Sequence, residues 1–262
     1  IVDQLGIVWA HETAAELGVT LGDVAGAYWA ARHVVGAAGP WAELDARWAE
    51  LPADEDAMLH RTISDAVAGL ARTYLLRSVP VQPSALVTED LPVAETLSEL
   101  RHPQDAINEM LALGVDRTVA QRWLSAGARA RAGDVGPVVR ATGRPVPEVL
   151  AAFALVDEAA AVPRMVRALG QAATSDRWRS WLTRATFDDL AEWRRNAVIE
   201  ALRSPTDPAD PLVGWAASRD TALAAARRLL LALDSQGADP TTVVAVALRR
   251  LPRPTRADPR GV

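Results

Sequence analysis

Two stretches of the chain match each other 125 positions apart, and this repeat restricts the architecture more than any other feature of the sequence. Leu17, Gly18, Asp23, Val24, Ala27 and Tyr28 correspond to Thr142, Gly143, Glu148, Val149, Ala152 and Phe153. Both stretches keep a glycine suited to the left-handed end of a helix, an acid in the first turn of the helix that follows, and an aromatic for the core. After one extra residue the match resumes at 126, where Leu76-Arg77 corresponds to Leu202-Arg203. A repeat on this scale implies two similar multi-helix units, each burying its apolar faces with help from the other.

Composition makes those units helical. Alanine supplies about a fifth of the residues and aromatics 5%, a balance that suits closely packed helices rather than sheets. The periodicity agrees. Glu12 to Leu17 reads as a helix ending at Gly18, and Thr20 then caps a helix from about Leu21 to Val35. Pro40, Trp41, Leu44 and Trp48 suggest a short amphipathic helix. A long one opens at Asp54, carries Leu59, Ile63, Ala66, Leu70 and Tyr74 inward, and ends before Pro80. The prolines between Val79 and Pro92 read as an extended linker, and helices follow from Pro103 to Gly114 and from Thr118 to Gly127. Gly133 and Gly136-Pro137 read as a break. The second long helix has Phe187, Leu190, Ala197 and Ala201 inward, with Asp188 and Asp189 placed in its first turn. Ala216, Leu223, Ala226, Leu230 and Leu233 predict one further helix closed by Gly237, and Pro240 opens the last, to about Leu251. The expected fold is therefore all-α: a first unit over 1–80, a linker and connecting helices over 81–136, the repeat over 137–205, a C-terminal helical hairpin over 206–251, and a disordered tail over 252–262.

The same composition removes whole classes of chemistry. All 28 basic residues are arginine, so no Schiff-base or P-loop lysine exists in this stretch, and with no cysteine there is no thiol chemistry. A net charge of -5 argues against nucleic acid and anionic membranes as partners, and no apolar run is long enough to span a bilayer. The first residue is Ile, and the sequence reads as a piece of a longer chain.

Candidate sites weaken on inspection. His11-Glu12 hints at a zinc protease helix, but Ala15 stands where the second histidine would be, and His33, His60 and His102 are scattered singly. Asp54, Glu55 and Asp56, like Asp188 and Asp189, read as helix-start carboxylates rather than metal ligands. The glycines never form a dinucleotide-binding turn after a strand. Arg194-Arg195, Arg227-Arg228 and Arg249-Arg250 read as solvated helix faces or ion pairs with neighbours such as Glu192 and Asp220. Trp178 and Trp181 are expected in the core, as is Phe153, so that truncating Phe153 or Trp178 to alanine costs about 3–5 kcal/mol. No catalytic, cofactor-binding or metal-ligating residue is assigned.

Taken together, Ala141-Thr142-Gly143-Arg144-Pro145-Val146-Pro147-Glu148-Val149, Asp176-Arg177-Trp178 and Arg184-Ala185-Thr186-Phe187-Asp188-Asp189-Leu190 resemble the C-terminal helical region of the large bacterial NAD-specific glutamate dehydrogenases. The first half is similar too, through Glu16-Leu17-Gly18-Val19-Thr20, Asp23-Val24, Ala27-Tyr28, Ala31-Arg32-His33-Val34, Trp41, Arg72 and Leu75-Leu76-Arg77. Asp3 and Thr73-Tyr74 depart from the pattern, where the family commonly has Asn and Arg-Trp. The resemblance covers roughly residues 1 to 205. It implies a cytoplasmic, oligomeric oxidoreductase that converts L-glutamate and NAD to 2-oxoglutarate, ammonia and NADH, using a lysine in a separate catalytic domain. This stretch would then bind no NAD itself and would partner the catalytic and N-terminal domains of its own chain. A free-standing helical module that offers a groove to a partner helix is the alternative.

Overall fold

In a computed structural model, the structure describes residues 9–38, 42, 53–77, 80, 82–100, 104–112, 115–172, 177–203, 211–235 and 237–254, and among these it holds thirteen α-helices and no strand. The chain divides into two compact units, residues 1–136 and 137–262.

The first unit is built around its second helix. α1 (Ala10–Leu17) stops at Gly18, whose φ of 65° is the left-handed conformation that only glycine adopts without penalty. Thr20 then starts α2 (Leu21–Val35) with a capping box: its hydroxyl accepts from the Asp23 amide at 3.1 Å, while the Asp23 carboxylate accepts from the Thr20 amide at 3.0 Å. α2 buries Val24, Ala27, Ala30, Ala31, Val34 and Val35. Such small residues let neighbours approach on several sides, and α3 (Ala53–Arg77), α4 (Pro83–Glu99) and α6 (Arg117–Ala130) all pack on α2, with α5 (Gln104–Ala112) against α6. Ile63, Leu70 and Tyr74 of α3 face inward as their spacing predicts, joined by Val67, whereas Arg61 and Asp65 are exposed. The side chain of Leu59 and the short helix expected around Trp41 to Trp48 lie outside the described residues.

The second unit is built around α8 (Val146–Ala160), which packs on α9 (Val162–Gln171), α10 (Arg177–Arg203), α11 (Pro211–Ser218) and α12 (Asp220–Ser235). α13 (Pro240–Arg250) closes the unit against α9, α10 and α12, giving the C-terminal helical hairpin. Inside it the Thr183 and Thr241 hydroxyls lie 2.8 Å apart, a buried polar pair that satisfies itself. α2 and α8 are each 15 residues long, and both start and end 125 positions apart. Their terminators differ in kind. Gly36 ends α2 at φ 71°, and Ala161 ends α8 at φ 56°, where a Cβ makes the left-handed conformation costly.

Several expectations fail, each for an identifiable reason. The stretch from Val79 to Pro92 is not a linker, since α4 occupies most of it. Pro83 sits in the first turn, where its missing N–H costs nothing, and Pro92 lies on the exposed face, while Leu86, Asp90, Val93, Ala94 and Leu97 form the buried stripe. The expected break at Gly133 and Gly136-Pro137 is instead a helix, α7 (Ala132–Thr142). Pro137 deprives the Gly133 carbonyl of its helical donor, and the Arg77 guanidinium supplies one at 3.2 Å. α6 also runs through Gly127 to Ala130. α10 starts at Arg177, so Asp188 and Asp189 lie in its middle rather than its first turn. The single helix expected after Pro211 is broken at Arg219 into α11 and α12, with Trp215 rather than Ala216 in the core. At the start of the expected tail, Trp193 Nε1 donates to the Pro252 carbonyl at 2.9 Å.

Candidate functional site

Among the described residues, the histidines and acids singled out in the sequence are not brought together. His11 and Glu12 are exposed on α1. The His33 ring lies 4.0 Å from the Trp29 ring, and its Nδ1 is 2.9 Å from the Trp29 carbonyl, one turn back on the same helix. His102 and the side chains of His60, Asp54, Glu55 and Asp56 lie outside the described residues. Among the described residues no three His, Asp or Glu side chains form a metal-binding group. Desolvation, then the neighbouring carboxylates Glu192 and Asp188, raise the Asp189 carboxyl above its ordinary range. Desolvation also raises the Tyr28 hydroxyl, with Arg32 opposing it, which keeps that phenol neutral at physiological pH.

The structure instead joins acids to arginines across helices. Asp90 is wholly buried in α4, and its carboxylate accepts from Arg77 Nη1 of α3 at 2.9 Å. The same guanidinium donates to Gly133 and lies 5.0 Å from the Tyr74 ring. In the other unit Arg194 of α10 binds Asp157 of α8 with two bonds, Nε to Oδ1 at 2.6 Å and Nη2 to Oδ2 at 2.5 Å, over the Phe153 ring. Glu200 accepts from Trp215 Nε1 at 3.2 Å and pairs with Arg219 at 3.0 Å, fixing the α11–α12 break against α10. Arg227 reaches Asp220 at 3.4 Å, one of the ion pairs expected from the sequence. Arg129 donates from Nε to the Val34 carbonyl at 2.8 Å, placing a cation at the negative end of α2. These groups hold helices together. None of them lines the cleft described next.

Two surface features remain. A cleft of about 640 Å³ in the first unit is lined by Ser98, Glu99, Leu100, Gln104, Ile107, Arg117, Gln121 and Ser125, from α4, α5 and α6. On α10, Trp178 and Trp181 stack with ring centroids 5.0 Å apart and stand on the surface, Trp178 at 69% exposure, with Leu182 exposed beside them. The core placement expected for both tryptophans is therefore wrong. Phe153 and Trp215, each 1% exposed, fill the core instead. Neither Asp90 nor the cleft was apparent from the sequence. The one available signal for Asp90 was an acid at an inward position of a helical stripe that two prolines concealed.

A comparison with known protein families matches residues 1–253 to the C-terminal region of glutamate dehydrogenase. The chain belongs to this family. No curated protein matches it significantly. Glutamate dehydrogenases use a nicotinamide cofactor, and among the described residues there is no strand-to-helix glycine turn of the kind that cradles a pyrophosphate. No helix among them is long and apolar enough to cross a membrane.

Proposed function

We propose that this chain is the non-catalytic C-terminal region of an NAD-specific glutamate dehydrogenase, present in the cytoplasm as a homo-oligomer, whose full polypeptide oxidatively deaminates L-glutamate to 2-oxoglutarate and ammonia. The observation that carries this reading is the family match over 1–253 in a stretch without lysine, because the family's chemistry uses one. Hydride transfer, NAD binding and the catalytic lysine belong to the rest of the polypeptide, and this region provides helical support to the catalytic and N-terminal domains of its own chain. We further propose that its two units are copies of one helical plan, with the boundaries first read from the repeat. The equal lengths of α2 and α8, their shared offset and their matching left-handed ends at Gly36 and Ala161 support that view.

The test compares glutamate-dependent NAD reduction by the full natural polypeptide with that of a version ending before Ile1. Activity in the full polypeptide supports the enzyme reading, and the shortened version then reports whether this region is needed for turnover or assembly. A folded full polypeptide with no such activity would overturn it and bring forward the helical interaction module. If NADP replaces NAD as the better substrate, only the cofactor assignment fails.

A further inference from the structure

The division between the two units, after Gly136, falls inside α7, so a helix rather than a loop carries the chain from one unit into the other. Its middle is its weakest part. Pro137 has no N–H for the Gly133 carbonyl, and Gly133 and Gly136 both lower helix propensity, so the turn at the division lacks the backbone bond that holds the others. Side chains from outside α7 grip it on either side of this turn. Arg77, the last residue of α3, donates to the Gly133 carbonyl at 3.2 Å, and Arg203, the last residue of α10, donates to the Ala141 carbonyl. Leu76-Arg77 and Leu202-Arg203 are the pairs that correspond at an offset of 126, and the two carbonyls lie four residues before and four residues after Pro137. The long helix of each unit therefore ends by holding α7 on its own side of the division.

The two grips differ in strength. Arg77 is 13% exposed and is itself held by the fully buried Asp90 at 2.9 Å, whereas Arg203 is exposed and water competes for its bond. Ala132, Gly133, Val135 and Gly136 are buried, which fixes the first half of α7 in the first unit. We propose that α7 is a hinge between the two units, that it bends at Pro137, and that the Arg77–Asp90 pair sets its stiffness. While Arg77 holds the Gly133 carbonyl, a side chain supplies the cohesion that the proline removes. When it lets go, the turn has no bond across it, and such turns are where helices kink. The pair also links the hinge to α3 and α4, so a change in the packing of either helix reaches the second unit as a change in the freedom of α7. The inference goes beyond the enzyme reading without depending on it.

The test measures, in the full natural polypeptide, the distribution of distances between spin labels carried by non-natural residues at Glu95 of α4 and Arg228 of α12, together with hydrogen exchange of the α7 amides. Both labelled positions are exposed. Pro137→Ala restores the missing donor and should narrow the distribution and slow exchange from Val138 to Ala141 by roughly 5- to 10-fold, the worth of one hydrogen bond. Arg77→Met combined with Asp90→Leu replaces the buried pair by apolar side chains, a change that folded proteins tolerate. It should broaden the distribution and speed the same exchange by a similar factor. Arg203→Met, which cuts the exposed grip, should broaden it less. Far-ultraviolet circular dichroism checks that the variants fold, and if the double variant does not, Pro137→Ala decides alone. A distribution of unchanged width in Pro137→Ala and the double variant overturns the inference. So does exchange that changes while the distances do not, which is what a purely structural role for Arg77 gives. Broadening by Arg203→Met as large as that of the double variant overturns the assignment of stiffness to Arg77. Neither readout involves glutamate or NAD, so the hinge and the enzyme reading fail separately.

Discussion

The long helix of each unit is tied to its neighbours by an arginine and an acid, but in opposite surroundings. In the first unit Arg77 meets an Asp90 that has no contact with solvent, and the same arginine completes the helix that Pro137 would otherwise weaken. In the second, Arg194 and Asp157 form a better-shaped two-bond pair, yet both side chains remain about one-fifth exposed. Burial, not geometry, sets what a pair does to stability. A buried charge left alone cannot recover its hydration, whereas a partly wetted one can.

The sharpest test of this contrast is the largest expected effect. Asp90→Ala should destabilise the first unit by about 2–4 kcal/mol, since it empties a fully buried position and takes the nearest carboxylate from the largely buried Arg77, leaving it only the longer pair with Glu89 at 3.9 Å and the Gly133 carbonyl. Asp157→Ala should cost only about 1 kcal/mol, because water reaches Arg194. Urea unfolding measures both, and equal losses would break the comparison. Phe153 and Trp178 offer a second contrast within the second unit. Phe153→Ala should cost about 3–5 kcal/mol as a core truncation. Trp178→Ala should change stability by less than about 0.5 kcal/mol, as a surface substitution does.

Smaller effects sharpen the picture around the helix ends. A Cβ on Gly133 would sit 2.4 Å from Leu70 Cδ1 and 3.2 Å from Thr73 Cγ2, so Gly133→Ala should destabilise by about 1–3 kcal/mol through overpacking. Hydrogen exchange of the α7 amides, faster in the variant, localises the effect. At the ends of the matched helices the direction reverses. Ala161→Gly removes a left-handed penalty and should stabilise α8 by about 0.5–1 kcal/mol. Gly36→Ala, placing the same penalty on α2, should destabilise by a similar amount, as thermal unfolding would show. The smallest effect is electrostatic. The Asp189 carboxyl binds its proton more tightly folded than unfolded, so stability falls as pH rises through the window between those two values. Asp189→Asn should abolish that slope and leave the protein slightly more stable at neutral pH, a difference visible only as a pH series of unfolding midpoints.

Local chemistry alone was enough to read the helical class, the capping box at Thr20 and Asp23, the left-handed end at Gly18 and the limits of α2. Caps and 3.6-residue stripes depend on residues within one or two turns of each other, and the inward faces of Ile63, Leu70 and Tyr74 followed for the same reason. The absence of lysine likewise needed no coordinates to exclude amine chemistry from this stretch. Tertiary structure decided whatever depends on a distant neighbour. Pro92 and Pro137 read as breaks because a proline removes a local hydrogen bond, but solvent exposure for one and Arg77 for the other make the helices tolerable. Trp178 and Trp215 carry the same side chain on helices of the same unit, and only the packing of α8, α10 and α11 buries one and leaves the other outside. A helical period says which residues share a face. It does not say whether anything covers that face.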